Sequence, residues 1–187
     1  MQITNNLRIE TRQELRCWLA DNHNKFSHAW IQVLSKDPEE LSYLAIVEEC
    51  LCFGWIDSTK KRVGDLTLQR ISPRRKSSNW TELNKERVRR LINSGQMTEH
   101  GKKILPDMSK GSFVICDGIM RAIKADAEIY ANFQKLPPLY IRVKIDNIQS
   151  YSQQDETYNR RLEKFLQNTK INKLYGDWND NGRLLGV

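Results

Sequence analysis

Two alternating segments, Trp55–Arg62 and Leu66–Pro73, stand on either side of Gly64-Asp65. This pattern limits the centre of the chain to a β-hairpin, because glycine reaches the positive φ that a two-residue hairpin turn demands. Pairing across the turn places Trp55 opposite Arg74, Asp57 opposite Ser72, Thr59 opposite Arg70 and Lys61 opposite Leu68. Those eight side chains then share one face, since strand residues alternate. Ile56, Ser58, Ile71 and Pro73 take the other face, and a one-residue slip would exchange the two. Ala29–Leu34 is short, aromatic and β-branched, and reads as a third strand.

The flanking sequence is helical. Thr11 and Glu14 form a capping-box pattern ahead of a helix over about 12–22, with Leu15, Trp18 and Leu19 on its apolar face. Asp37-Pro38-Glu39-Glu40 reads as a helix start. That helix runs to about Phe53, buries Leu44, Val47 and Leu51, and stops at Gly54. Ser78, Asn79 and Thr81 are all capable of capping a helix over about 80–94, which Gly95 ends. Thr98 starts a short helix ending near Pro106. Residues 107–122 read as a linker or a short buried strand. Three helices follow, over 126–135, 139–151 and 155–169, and the tail carries the aromatic pair Tyr175 and Trp178.

The expected class is α+β: mostly helical, with a small antiparallel sheet (29–34, 55–62, 66–73) and a helical C-terminal part. Residues 1–122 form the α+β core with the hairpin and basic cluster. Residues 123–187 pack on it as part of the same structural unit.

Charge is concentrated at the hairpin. The 187-residue chain carries a net charge of +7, and residues 60–90 hold eleven Lys/Arg against three acids, so the whole excess lies there. A local positive field attracts phosphates, nucleic acid or acidic partners. Arg74-Arg75-Lys76 precedes a Ser/Asn-rich helix start, where backbone amides and arginines make an anion site. The candidate binding residues are Trp55, Asp57, Arg70, Arg74, Arg75, Ser77, Ser78, Trp80 and Asn84. Trp55 and Trp80 would wall the site and Asp57 would orient the arginines.

Other chemistries have less support. No Ser/His/Asp or Cys/His order is visible, and no Gly-rich phosphate loop of known spacing. Asp57 is the one candidate general base. Cys17, Cys50, Cys52 and Cys116 form no Cys-x-x-Cys pair, and with His23, His28 and His100 they match no common zinc spacing. Neither a metal nor another cofactor is expected, and Cys50 and Cys52 read as buried reduced thiols. No apolar run approaches a membrane span. The N-terminus lacks a signal peptide's apolar core, so the expected location is cytoplasmic.

Leu51-Cys52-Phe53-Gly54-Trp55-Ile56-Asp57, Ser72-Pro73-Arg74-Arg75, Ser78-x-Trp80, Asn84 and Gly95-x-Met97-Thr98-x-x-Gly101 together resemble the YdeI/OmpD-associated bacteriocin-protection family. Phe133, Leu136-Pro137 and Glu156-Thr157-x-x-Arg160-Arg161-Leu162 are similar to its closing segment. The resemblance spans most of residues 11–166. It implies a small α+β protein, linked in some members to tolerance of cationic antimicrobial peptides, and carries over no catalytic residues. The function expected is that of a cytoplasmic binding or stress-tolerance protein for an anionic small molecule or phosphate-containing ligand. An enzyme acting on a nucleotide or other phosphorylated small molecule, with Asp57 as base, and a nucleic-acid-binding module are the alternatives.

Overall fold

The computed structural model describes residues 3–34 and 41–186. The helix start expected at Asp37-Pro38-Glu39-Glu40 lies outside the described residues. The fold is α+β and divides into two compact units, residues 1–79 with 87–106 and residues 80–86 with 107–187.

The first unit is built on a four-stranded sheet. Its elements are β1 (Asn6–Leu7), α1 (Arg12–Asn22), β2 (Ala29–Gln32), α2 (Tyr43–Cys52), β3 (Trp55–Val63), β4 (Leu66–Pro73), the later part of α3 (Glu82–Asn93) and α4 (Glu99–Lys102). The strand order is β1-β2-β4-β3. β1 runs parallel to β2 and the other pairs are antiparallel, so the sheet is mixed rather than purely antiparallel.

Local signals place most of these ends. The Thr11 hydroxyl accepts the Glu14 N–H, and the Glu14 carboxylate accepts the Thr11 N–H, which fixes the start of α1. Ser42 caps α2 through the Ala45 N–H. Gly54 ends that helix at φ +72, a conformation glycine adopts without a Cβ penalty. From Ala45 to Cys52 every residue of α2 is buried, the carboxylates of Glu48 and Glu49 included. Cys50 and Cys52 lie in this buried run; desolvation pushes the Cys52 thiol up to about 12.

The hairpin register departs from the regular pairing. Near the turn, Lys61 opposes Leu68 as expected. Between Asp57 and Lys60 a β-bulge sets Ser58 and Thr59 against Arg70 alone. Beyond it the register is moved by one residue: Trp55 faces Pro73, Ile56 faces Ser72 and Asp57 faces Ile71. Trp55 therefore does not stand opposite Arg74, and the eight-residue face does not form. The Gln69 amide, which is buried, donates to the Thr59 carbonyl (3.4 Å) and occupies the irregularity.

The second unit holds the first turn of α3, α5 (Asp117–Lys124), α6 (Ala127–Phe133), α7 (Pro138–Gln149) and α8 (Asp155–Lys170). Residues 107–122 form a short 3-10 turn at Lys110–Ser112 and then α5, not a strand. Ile119, Ile123, Tyr140, Ile145 and Phe165 are its most buried apolar side chains. Tyr140 meets both Tyr175 and Trp178 edge-on, at 6.2 and 5.4 Å between ring centres, which ties the tail to α7.

This unit has its own polar interior. Arg142 reaches Glu86 (2.9 Å) and Glu82 (3.3 Å), and Lys85 also pairs with Glu82 (2.9 Å). Asp146 accepts the Glu82 N–H at 3.0 Å. Burial pushes the Asp146 carboxyl above its ordinary range, although that hydrogen bond opposes the shift. A carboxyl raised in the folded state contributes stability below its unfolded pKa and loses it as pH rises through the folded one. Asp146→Asn keeps an acceptor oxygen and removes the charge. It is expected to be more stable than wild type at pH 7 and to show no such gain near pH 3, measured by urea unfolding. An equal gain at both values would rule out this origin.

Candidate functional site

The turn that leaves the hairpin is held from inside. Arg74 is 7% exposed. Its N–H donates to the Gly54 carbonyl (2.9 Å), and its guanidinium Nη1 donates to the Asn79 carbonyl (2.9 Å). Burial lowers its pKa, while Asp57 and Cys50 nearby counter that effect. Arg74 is thus a strut between the start of β3 and the far end of the turn. Within the turn, the Ser78 N–H donates to the Arg75 carbonyl (3.0 Å), and the Ser78 hydroxyl accepts the Arg75 N–H (3.1 Å). The side chains of Arg75, Lys76 and Ser77 stand exposed on this braced loop.

The other expected site residues have partners of their own. Trp55 is fully buried, donates its indole N–H to the His23 carbonyl (3.0 Å) and meets Trp18 edge-on (5.8 Å). Its ring belongs to the core. Arg70, half-buried, donates to the Ser58 hydroxyl (3.3 Å) across the bulge. Asp57, half-buried, accepts the Tyr43 hydroxyl at 2.7 Å. Burial and that carboxylate push the Tyr43 phenol up. Trp80 and Asn84 belong to the second unit, where the Asn84 N–H donates to the Thr81 hydroxyl (3.2 Å), making Thr81 the cap of α3. Along β3 the residues from Ser58 to Val63 are all exposed, so the consecutive Lys60, Lys61 and Arg62 project to both faces of the edge strand.

A second polar cluster was not anticipated from the sequence. Glu48 is 1% exposed and Glu49 is 2% exposed. Arg12 pairs with both, at 2.9 and 2.8 Å; Arg16 pairs with Glu49 (2.9 Å) and Arg90 with Glu48 (3.0 Å). Arg16 also donates to the Gln96 carbonyl at 2.7 Å. Burial opposes the charge on Arg12, and the two carboxylates more than offset it, so its pKa is raised. Arg12, Arg16, Glu49 and Gln96 edge an open groove of about 400 Å³. The available signal was Glu48-Glu49 inside an otherwise apolar helix, because buried carboxylates require cationic partners.

Among the described residues, no three His, Cys, Asp or Glu side chains converge to hold a metal ion, and no helix is long and apolar enough to cross a membrane.

Residues 7–104 match the family described as a domain of unknown function, DUF8412. The chain belongs to that family. Residues 113–172 match a second family, described as bacteriocin-protection, YdeI or OmpD-associated. The DUF8412 match covers most of the first structural unit, and the YdeI/OmpD-associated match lies within the second. The Gly-Trp-Ile-Asp and Ser-Pro-Arg-Arg motifs fall in the DUF8412 segment, while Phe133, Leu136-Pro137 and Arg160-Arg161 fall in the YdeI/OmpD-associated segment. No curated protein and no solved structure matches the chain.

Proposed function

We propose that this protein is a non-enzymatic, cytoplasmic binding protein for an anionic, phosphate-bearing ligand, engaged by the braced turn after β4. The observation that supports this reading is the division of labour in Arg74-Arg75-Lys76. Arg74 is buried and spent on backbone carbonyls, and it presents Arg75, Lys76 and Ser77 to solvent in a closed turn. A pre-shaped loop loses little conformational freedom on binding, so its charge-assisted contacts count more fully. Asp57 is tied to the Tyr43 hydroxyl and lies in the field of Arg74, which favours a structural role over that of a base.

The double substitution Arg75→Ala with Lys76→Ala is expected to weaken binding of inorganic phosphate or ATP by roughly tenfold or more, given about 1.5–3 kcal/mol per charged hydrogen bond. Its unfolding free energy should stay within about 0.5 kcal/mol of wild type, as for other exposed substitutions. Titration calorimetry and urea unfolding measure the two. Unchanged affinity would remove the turn from consideration.

The exposed run Lys60-Lys61-Arg62 favours a second reading, in which the ligand is a polyanion such as a nucleic acid. Cations on both faces of a ribbon contact a charged backbone without a pocket. Binding of an oligonucleotide that does not weaken with added salt would exclude it. The matched family's name refers to bacteriocin protection. A chain of net charge +7 does not attract a cationic peptide, so a tolerance role would act through an anionic partner rather than by sequestration.

A further inference from the structure

Two histidines far apart in the sequence meet on the first unit, with ring centres 4.2 Å apart and planes tilted by 59°. We infer that His23 and His100 together bind a divalent cation that prefers imidazole ligands, Zn²⁺ or a neighbouring late transition metal, with water completing its coordination.

One nitrogen of His23 is already committed. His23 follows the last turn of α1, and its Nδ1–H donates to the Leu19 carbonyl at 2.9 Å. A carbonyl only accepts, so the neutral ring carries its proton on Nδ1 and keeps the Nε2 lone pair for a cation. A backbone carbonyl on the far nitrogen is a common partner of a metal-bound histidine. The backbone is pinned as well. The His23 N–H donates to the same Leu19 carbonyl, and the His23 carbonyl accepts the Trp55 indole N–H at 3.0 Å. The ligand is therefore positioned before any ion arrives.

His100 is carried to it by α4. Thr98 bonds the Cys52 carbonyl and docks this helix at the end of α2. Gly54 leaves room for the ring, because a Cβ there would stand 3.4 Å from His100 Cδ2. His100 is exposed, and its ring nitrogens have no hydrogen-bond partner among the described residues.

The tilt matters because the lone pairs lie in the ring planes. Parallel rings could not aim at one point, whereas tilted planes intersect. Two nitrogens on one cation, each about 2.0–2.1 Å from it, set their ring centres roughly 4.5–5 Å apart. A slight turn of the exposed His100 ring reaches that separation.

The local field suits a cation. The eleven residues of α1 direct the negative end of their dipole at His23. Burial, His23 and Lys103 lower the His100 pKa, so its ring is neutral and able to ligate at pH 7. Lys103 opposes a cation, but it is exposed and screened by solvent and salt.

Calorimetric titration of the full chain with ZnCl2 tests the assignment. His100→Ala is expected to weaken Zn²⁺ binding by about tenfold or more, since losing a group that merely orients a ligand already costs about 10–100-fold. His28→Ala should leave it unchanged, because that ring faces Thr4 and Ser27 instead. Replacing the exposed thiols by Cys17→Ser and Cys116→Ser should also leave it unchanged. Going from about pH 7 to about pH 5 should weaken binding by about tenfold or more, because protons compete for both rings. In NMR spectra of the wild type, Zn²⁺ should shift the ring signals of His23 and His100 but not of His28; this measurement serves if the alanine form does not fold. Mg²⁺, which takes oxygen ligands, should not bind. No binding of Zn²⁺, affinity that survives His100→Ala or disappears with the two thiols, or Mg²⁺ binding of similar strength would each overturn the inference.

Discussion

Replacing Gly101 with alanine is expected to leave little folded protein. Gly101 lies in the short α4, and a Cβ there would stand 2.2 Å from the Cys52 carbonyl oxygen, 2.7 Å from its carbon and 3.0 Å from the Leu51 oxygen. All three atoms are backbone at the end of α2, so no side chain can turn aside. Thr98 locks the same contact, with its N–H and its hydroxyl both donating to the Cys52 carbonyl. The two helices would have to separate and break these bonds. Ordinary overpacking costs about 1–3 kcal/mol, and a backbone clash against the buried end of α2 should exceed that. Gly118→Ala is the control: it lies in α5 with open space around the added methyl, and should stabilise by roughly 0.5–1 kcal/mol. Circular dichroism during urea unfolding reads both. A Gly101→Ala protein as stable as wild type would refute the close approach.

The next largest effect is expected at Arg12. Arg12→Ala removes a side chain that pairs with both Glu48 and Glu49, two carboxylates at most 2% exposed. Arg16 still pairs with Glu49 and Arg90 with Glu48, so the loss is that of charge-assisted hydrogen bonds to buried carboxylates, about 1.5–3 kcal/mol. The surface pair Arg62–Asp65, at 3.8 Å between largely solvated groups, gives the contrast. Arg62→Ala should change stability by less than about 1 kcal/mol. If Arg12→Ala also falls within that limit, the network does not hold α1 to α2. Unfolding midpoints of the three proteins test the order.

Much of the local structure was legible because its causes are local. The capping box at Thr11 and Glu14, the Thr98 cap of α4, and the helix stops at Gly54 and Gly95 act on backbone groups within four residues. The hairpin turn at Gly64 is of the same kind, with φ +58, and it sets the register correctly as far as Lys60. In the second unit α6, α7 and α8 follow from apolar spacing, as with Ile145 and Ile148 on α7, whereas α5 lies largely in a segment that reads as a linker or strand.

The candidate site was less legible. Arg74 and Arg75 are adjacent and chemically identical, yet one is a buried strut and the other an exposed cation. Nothing within the tripeptide distinguishes them; the carbonyls of Gly54 and Asn79 do. Trp55 reads equally well as a stacking platform or as core, and its packing on Trp18 decides for core. The bulge at Ser58 and Thr59 shifts the hairpin face by one residue without altering the alternation that predicts it.

The sequence by itself determined where elements begin, turn and end, and that the positive charge gathers between residues 60 and 90. Those properties depend on backbone conformation and on neighbours a few residues away. Tertiary structure alone decided which cations are buried, which carboxylates they answer and where a groove opens. Arg12 meets Glu49 across 37 positions, and Arg16 meets Gln96 across 80. Contacts at that separation are set by how helices and sheet pack, which no local pattern in the chain encodes.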